Sequence, residues 1–176
     1  MNLTETTVRK NYIYRGKIIN LRCDDAALPD GKPCKREIIE HPGGASVLCV
    51  KDGKVLLVKQ YRYAYQKAIY EIPAGKLNPG EDPALTAVRE LKEETGMVAK
   101  VKKLYTLYPT PGYTNELLHV YYAIDPKKGE QTLDEGEFLN VEWLPLEEVV
   151  AKMEEGEISD AKTVVALQWY LLHEKK

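Results

Sequence analysis

Residues 75–96 read GKLNPGEDPALTAVRELKEETG, and the fold turns on what this stretch becomes. Asp82 followed by Pro83 predicts an N-cap and a first helical residue, because Pro lacks an N–H only where the helix needs none and its fixed φ suits the first turn. Gly96 predicts the end of the helix. Leu85, Val88, Leu91 and Thr95 fall on one side of the helical wheel, expected to pack on a sheet and leave an acidic flank facing out. That flank gathers Arg89, Glu90, Glu93 and Glu94 into six residues. Glu90 and Glu94 are i,i+4 neighbours, a like-charge pair that costs about 0.2–0.5 kcal/mol, of which Arg89 and Lys92 offset only part.

Two readings of this flank stay open on the helix alone. It is a solvated face of Glu and Lys, or its carboxylates are oxygen ligands for a hard divalent cation such as Mg²⁺, which keeps waters and phosphate oxygens in its shell.

Around the helix the chain reads as β structure. The first forty residues alternate and turn without a helical stripe: VRKNYIYR, KIINLRCDDAAL, the turn Pro29-Asp30-Gly31, and CKREIIE. HPGG at residues 41–44 marks a boundary, giving a small antiparallel β domain over residues 1–41 and a larger portion over 42–176. ASVLCV and KVLLVKQYR, joined by Asp52-Gly53, read as a hairpin of buried strands, and IYEIPAG as a short extended segment. VKKLYTLY and ELLHVYYAI, separated by PTPGYTN, and then FLNVEWL complete the strands. Pro145 opens a helix through Glu155, and Ser159 or Asp160 caps a last one with Val164, Val165, Ala166, Leu167, Leu171 and Leu172 as its apolar face.

At 176 residues the chain is long enough to bury a real core. A formal net charge of −2 without blocks of like charge argues against nucleic-acid or polybasic membrane surfaces. Apolar runs fall short of the roughly 20 residues that span a bilayer, and MNLTETTVRK is not a signal peptide, so a cytoplasmic location is expected. Cys23, Cys34 and Cys49 have no metal-ligand spacing and read as reduced packing residues. The histidines, His41, His119 and His173, are scattered, and no Cys/His or Ser/His/Asp arrangement supplies a covalent nucleophile.

Gly75, then Glu81, then RELKEETGM match every fixed position of the box of the Nudix hydrolases, with Leu91 and Met97 at its aliphatic places. The chain is identified by this resemblance as a member of that family. The resemblance implies an α+β fold, an α/β/α sandwich with a mixed sheet, and a loop-helix-loop that binds Mg²⁺ or Mn²⁺ and hydrolyses nucleoside diphosphates linked to another moiety. It implies Glu90 and Glu94 as principal metal ligands, Glu93 as a ligand directly or through water and a catalytic carboxylate, and the backbone carbonyl of Ala74 as another ligand. Glu81 and Arg89 are implied to organise the loop and orient the carboxylates, between Gly75 and Gly96. Metal ions neutralise the anionic pyrophosphate and activate an attacking water, so no covalent nucleophile is needed.

EIPAGKL running into the box, the loop PTPGYTNE with Pro111, and the N-terminal segment with YRGKI resemble the ADP-ribose pyrophosphatase branch. The implied reaction is ADP-ribose plus water giving AMP and ribose 5-phosphate, in a homodimer formed through the N-terminal domain. The branch places a catalytic glutamate on a loop after the box; LDEGEF offers Glu137, which directly precedes FLNVEW, and Glu135. Arg62 in KQYRY is a diphosphate ligand or a surface arginine. Gly112 and Glu116 in the PTPGYTNE loop are substrate-binding candidates, and Tyr14 is a candidate to stack on adenine from a partner subunit. The alternatives are a pyrophosphatase for another nucleoside diphosphate sugar such as GDP-mannose, and a non-hydrolytic ADP-ribose sensor, which the full set of box glutamates disfavours.

Overall fold

The computed structural model describes residues 1–174, which divide into two units: residues 1–43 with 108–117, and residues 44–107 with 118–174. In the first, β1 (Thr6–Arg9) and β2 (Tyr12–Arg15) pair in succession along one edge of β3 (Asn20–Ala27), and β4 (Pro33–Glu40) pairs along the other, all antiparallel. Little apolar surface is buried here, and charge does part of the holding. Asp24 is 1% exposed and lies 3.1 Å from Arg22, which also reaches Glu40 at 2.5 Å. Residues 108–117 belong to this unit because the Ile39 N–H donates to the Tyr113 carbonyl (2.7 Å) and the Asn115 N–H to the Ile39 carbonyl (3.2 Å). Loop-to-strand pairing of this kind runs through backbone groups and leaves no local pattern in the sequence.

The second unit is built on the hairpin β5 (Gly44–Lys51) and β6 (Lys54–Arg62), continued by β7 (Lys67–Glu71) and β8 (Ala74–Lys76). Helix α1 (Pro83–Thr95) follows, then β9 (Met97–Leu107), β10 (Leu118–Lys128) and β11 (Leu139–Pro145), and finally α2 (Leu146–Glu154) and α3 (Ala161–His173). The seven-stranded sheet runs β11-β6-β5-β10-β9, with β7 on β6 and β8 on β5. It is mixed, since β5 and β10 are parallel and the other pairings antiparallel. Period-2 alternation then sorts side chains onto two faces. Ala45, Val47, Cys49, Leu56, Tyr121 and Ala123 meet Ala87 and Leu91 of α1, whereas Leu48, Val50, Val55, Leu57 and Val120 meet Val149 of α2 with Ala166 and Leu167 of α3. This is the expected sandwich with a mixed sheet between helical layers.

The helix caps are where the sequence puts them. Asp82 accepts from the Ala84 N–H at 2.7 Å, and Gly96 takes the left-handed φ of 71° that closes α1. Asp160, rather than Ser159, caps α3 by accepting from the Thr163 N–H at 3.0 Å. The predicted faces need correction. Leu85 is 65% exposed, and α1 packs instead through Thr86, Ala87, Leu91 and Glu94. The acidic flank therefore does not all face out. On α3, Leu172 is exposed, while Lys162, Thr163 and Trp169 are buried with Ala166 and Leu167. In both helices the sheet selects a face rotated from the most apolar arc.

Leu91→Ala is expected to cost about 2–5 kcal/mol in urea denaturation, whereas Leu85→Ala costs less than about 0.5 kcal/mol. Equal losses would restore the wheel-based face.

Candidate active site

The loop before α1 is ordered by one cation. Arg89 donates from Nε to Glu81 (3.0 Å) and from Nη2 to the other Glu81 oxygen (3.1 Å) and to the Lys76 carbonyl (3.2 Å). Its Nη1 bridges Glu90 (2.7 Å) and Glu93 (2.8 Å). Bidentate geometry of this kind fixes direction as well as charge. Held by Arg89 and the Asn78 N–H, the Glu81 carboxyl is drawn down to about 2, and the three carboxylates hold the Arg89 guanidinium above its ordinary range.

The glutamates differ sharply in setting. Glu94 is 2% exposed and accepts from the Ala74 N–H of β8 at 3.0 Å, but among the described residues no ion pair reaches it. Burial first, then the charges of Glu90, Glu137 and Glu71, push its carboxyl up to about 8. Glu90 is raised too, by burial ahead of Glu93 and Glu137, with Arg89 opposing. Its carboxylate fills the space where a Gly75 side chain would stand, so a Cβ there would collide with it.

Such a site asks for positive charge. Its ready donors are hard oxygens, and the Gly75 cradle brings one of them against the β8 backbone, a set that suits a divalent cation of the Mg²⁺ kind. Among the described residues no group of three ligands is already gathered, and Arg89 engages both Glu90 and Glu93.

Glu137 lies on the turn after Gly136 (φ 82°), its own N–H donating to the Asp134 carbonyl at 3.0 Å. It bounds a cavity of about 310 Å³ with Lys59, Leu133, Phe138, Leu139 and Asn140, and its charge reaches Glu90 and Glu94. Glu135 is exposed on the same turn. The loop is tied to the helix it serves. The Thr132 N–H and the Gln131 side chain donate to the Glu93 and Glu94 carbonyls (3.1 and 2.6 Å), capping orphan groups at the end of α1.

Arg62 ends β6 with its guanidinium engaged by Glu71, Nε at 2.5 Å and Nη2 at 2.9 Å, and its side chain is 40% exposed. Glu71 is itself buried and paired with Lys162. Neither partner was singled out from sequence, although a carboxylate inside IYEIPAG and a lysine at the electropositive start of an apolar helix are both local anomalies. Tyr14, Gly112 and Glu116 lie in the other unit. The Tyr14 ring rests over Gly16 and is 58% exposed, Gly112 faces open space, and Glu116 stands 3.5 Å from His41 Nδ1. His119 is a β10 residue bonded to Thr106.

Family models and a solved structure resemble the chain over nearly its full length. Residues 40–167 match the NUDIX domain family, and residues 5–39 match the nucleoside diphosphate sugar hydrolase N-terminal domain. The chain is 45% identical to an ADP-ribose pyrophosphatase of Bacillus subtilis (98% of this chain, 96% of the relative). It is 41% identical to a methanol dehydrogenase activator of Bacillus methanolicus (97% and 94%). A crystal structure of an ADP compounds hydrolase superposes with a TM-score of 0.85 at 22% identity, covering all of both chains. The chain belongs to the Nudix family.

In the presence of chelator, Glu94 makes stability fall as pH rises. The folded carboxyl titrates at about 8, while the unfolded one loses its proton near the ordinary glutamate value of roughly 4.3. The penalty is therefore absent below the lower value and complete above the higher. Glu94→Gln should gain thermal stability over the unsubstituted chain between pH 5 and 8, by about 2–4 °C per kcal/mol. Parallel melting curves across that window would show the burial argument wrong.

Proposed function

We propose that this Nudix hydrolase cleaves the pyrophosphate of ADP-ribose, with water, to AMP and ribose 5-phosphate, using Mg²⁺ or Mn²⁺. The observation that carries the chemistry is the buried, unpaired Glu94 carboxylate beside Glu90; the substrate rests on near-full-length similarity to a protein named an ADP-ribose pyrophosphatase. In this reading Glu90, Glu94, Glu93 and the Ala74 carbonyl hold the metal, which when bound supplies charge neutralisation and a more acidic water. Arg89 and Glu81 keep the carboxylates in register. Glu137 takes the proton of the attacking water, favoured over Glu135 by its reach to the box carboxyls. Arg62 binds the diphosphate.

The N-terminal unit is proposed to form a homodimer, placing Tyr14 and Glu116 where a partner's substrate is read. Val8 of β1 and Ile13 of β2 are 70% and 65% exposed, and Ile18 in the bend before β3 is 54% exposed, apolar surface that a second copy would cover.

ADP-ribose, ADP-glucose, GDP-mannose, NADH and diadenosine polyphosphates, each with Mg²⁺ and with chelator, form the decisive panel. NADH belongs there because dehydrogenases use nicotinamide cofactors and one relative is named for activating a dehydrogenase. ADP-ribose should lead, and chelator should abolish turnover. A lead by GDP-mannose would replace the substrate, and binding without turnover would replace hydrolysis by sensing.

Glu94→Gln and Glu137→Gln should each lower kcat by about 10²-fold or more, with KM changed far less for Glu137→Gln. A larger kcat loss in Glu135→Gln would move the base by two positions. Ile13→Asp should shift a dimer to monomer in light scattering; an unchanged mass would remove β2 from the interface.

A further inference from the structure

Lys162 is a buried ammonium with no part in the reaction as described. It occupies the first turn of α3, where the helix dipole disfavours a cation, and it is 8% exposed. Burying a charge there costs several kcal/mol unless anions meet it. Two do. Nζ pairs with Glu71 from β7 and, at 2.9 Å, with the α3 cap Asp160. Asp160 is also engaged by the Thr163 N–H and hydroxyl, and that hydroxyl accepts from the Ile72 N–H at 2.9 Å, which fixes α3 to the end of β7.

Glu71 is shared between two cations. One of its oxygens takes Arg62 Nε, and the other takes both Arg62 Nη2 and Lys162. With Arg62 as its only partner, Glu71 would cancel the guanidinium charge. Without Lys162, Glu71 and Asp160 would outnumber Arg62 and leave the cluster negative; with it two cations meet two anions, and no excess negative charge repels an anion from the Arg62 side chain, which is 40% exposed. Its Nη1 makes no hydrogen bond among the described residues, so one edge of the fork is free while the other two nitrogens fix its direction. The pair also adjoins the carboxylates. Arg62 and Glu94 act on each other's charge, and Glu71 acts on Glu94.

We propose that Lys162 is a positioning residue for substrate: by balancing Glu71 and Asp160 it keeps excess negative charge away from Arg62 and leaves that guanidinium oriented to take the diphosphate of a nucleoside diphosphate sugar. The inference rests on the pyrophosphatase reading and deepens it. It assigns α3, which contributes nothing to the Nudix box, a share in substrate affinity.

The test is a set of variants, Lys162→Met, Arg62→Ala, both together, and the charge-balanced pair Glu71→Gln with Lys162→Met. Each is assayed for KM and kcat on ADP-ribose with Mg²⁺, and for binding of inorganic pyrophosphate by calorimetry. Lys162→Met should raise KM and the pyrophosphate Kd about tenfold, with kcat within about threefold. Arg62→Ala should then add less than about twofold in that background, because both changes remove one interaction. The balanced pair should recover most of the affinity and covers the case in which Lys162→Met alone fails to fold. Undiminished pyrophosphate binding in Lys162→Met, a full Arg62→Ala effect in its background, or no recovery in the balanced pair would reduce Lys162 to a structural ion pair. Wild-type protein that ignores ADP-ribose while Lys162→Met still weakens pyrophosphate binding would overturn the substrate reading and leave this inference standing.

Discussion

The burial of the Glu94 carboxylate is the constraint around which the rest of the site is arranged. Ala87, Leu91 and Glu94 are spaced as successive core positions of one helix face, and the first two pack on β5 and its neighbours. Seating Leu91 thus carries Glu94 inward with it. A carboxylate in that position keeps one backbone donor, Ala74, and sits among other acids. The apolar packing of α1 holds in place a group that electrostatics alone would expel.

Other features follow from that placement. Gly75 has no side chain because the Glu90 carboxylate occupies its Cβ position, a close approach and not a matter of backbone freedom. Arg89 has to serve Glu81, Glu90 and Glu93 at once, since a cation paired with Glu90 alone would leave the loop unfixed. Capping of the α1 carbonyls by Gln131 and Thr132 sets the loop bearing Glu137 by the same helix that bears Glu94. Box and loop are therefore registered by hydrogen bonds at the helix end, across a long gap in sequence.

What was legible in the sequence was what is local. Asp82-Pro83 and Gly96 bound α1 because caps are satisfied within a turn, and Asp52-Gly53 gave the hairpin because positive φ at both residues (50° and 72°) is demanded by the turn. The box glutamates were legible through spacing and resemblance. The buried face of α1 was not, because Leu85 and Thr86 differ by one position and only the sheet decides which turns inward. Nor was the Glu71–Lys162 pair, whose members stand 91 residues apart. Residues 108–117 illustrate the same limit: they join the N-terminal unit through backbone bonds to Ile39, and backbone groups carry no sequence signature.

Two buried glutamates close together show how one interior holds acids for opposite ends. Glu71 and Glu94 are each 2% exposed, so desolvation penalises both. Around Glu71, Arg62 and Lys162 outweigh that penalty and the carboxyl is lowered; around Glu94 no cation pairs directly among the described residues, and burial raises it. A compensated acid is inert and rigid, suited to holding an arginine in one direction. Glu94, answered by one backbone donor, keeps its desolvation penalty instead. Exchange of the two settings would leave the fold's hydrophobic account unchanged and destroy the site, so the distribution of cations among buried carboxylates, rather than the carboxylates themselves, divides scaffold from chemistry in this protein.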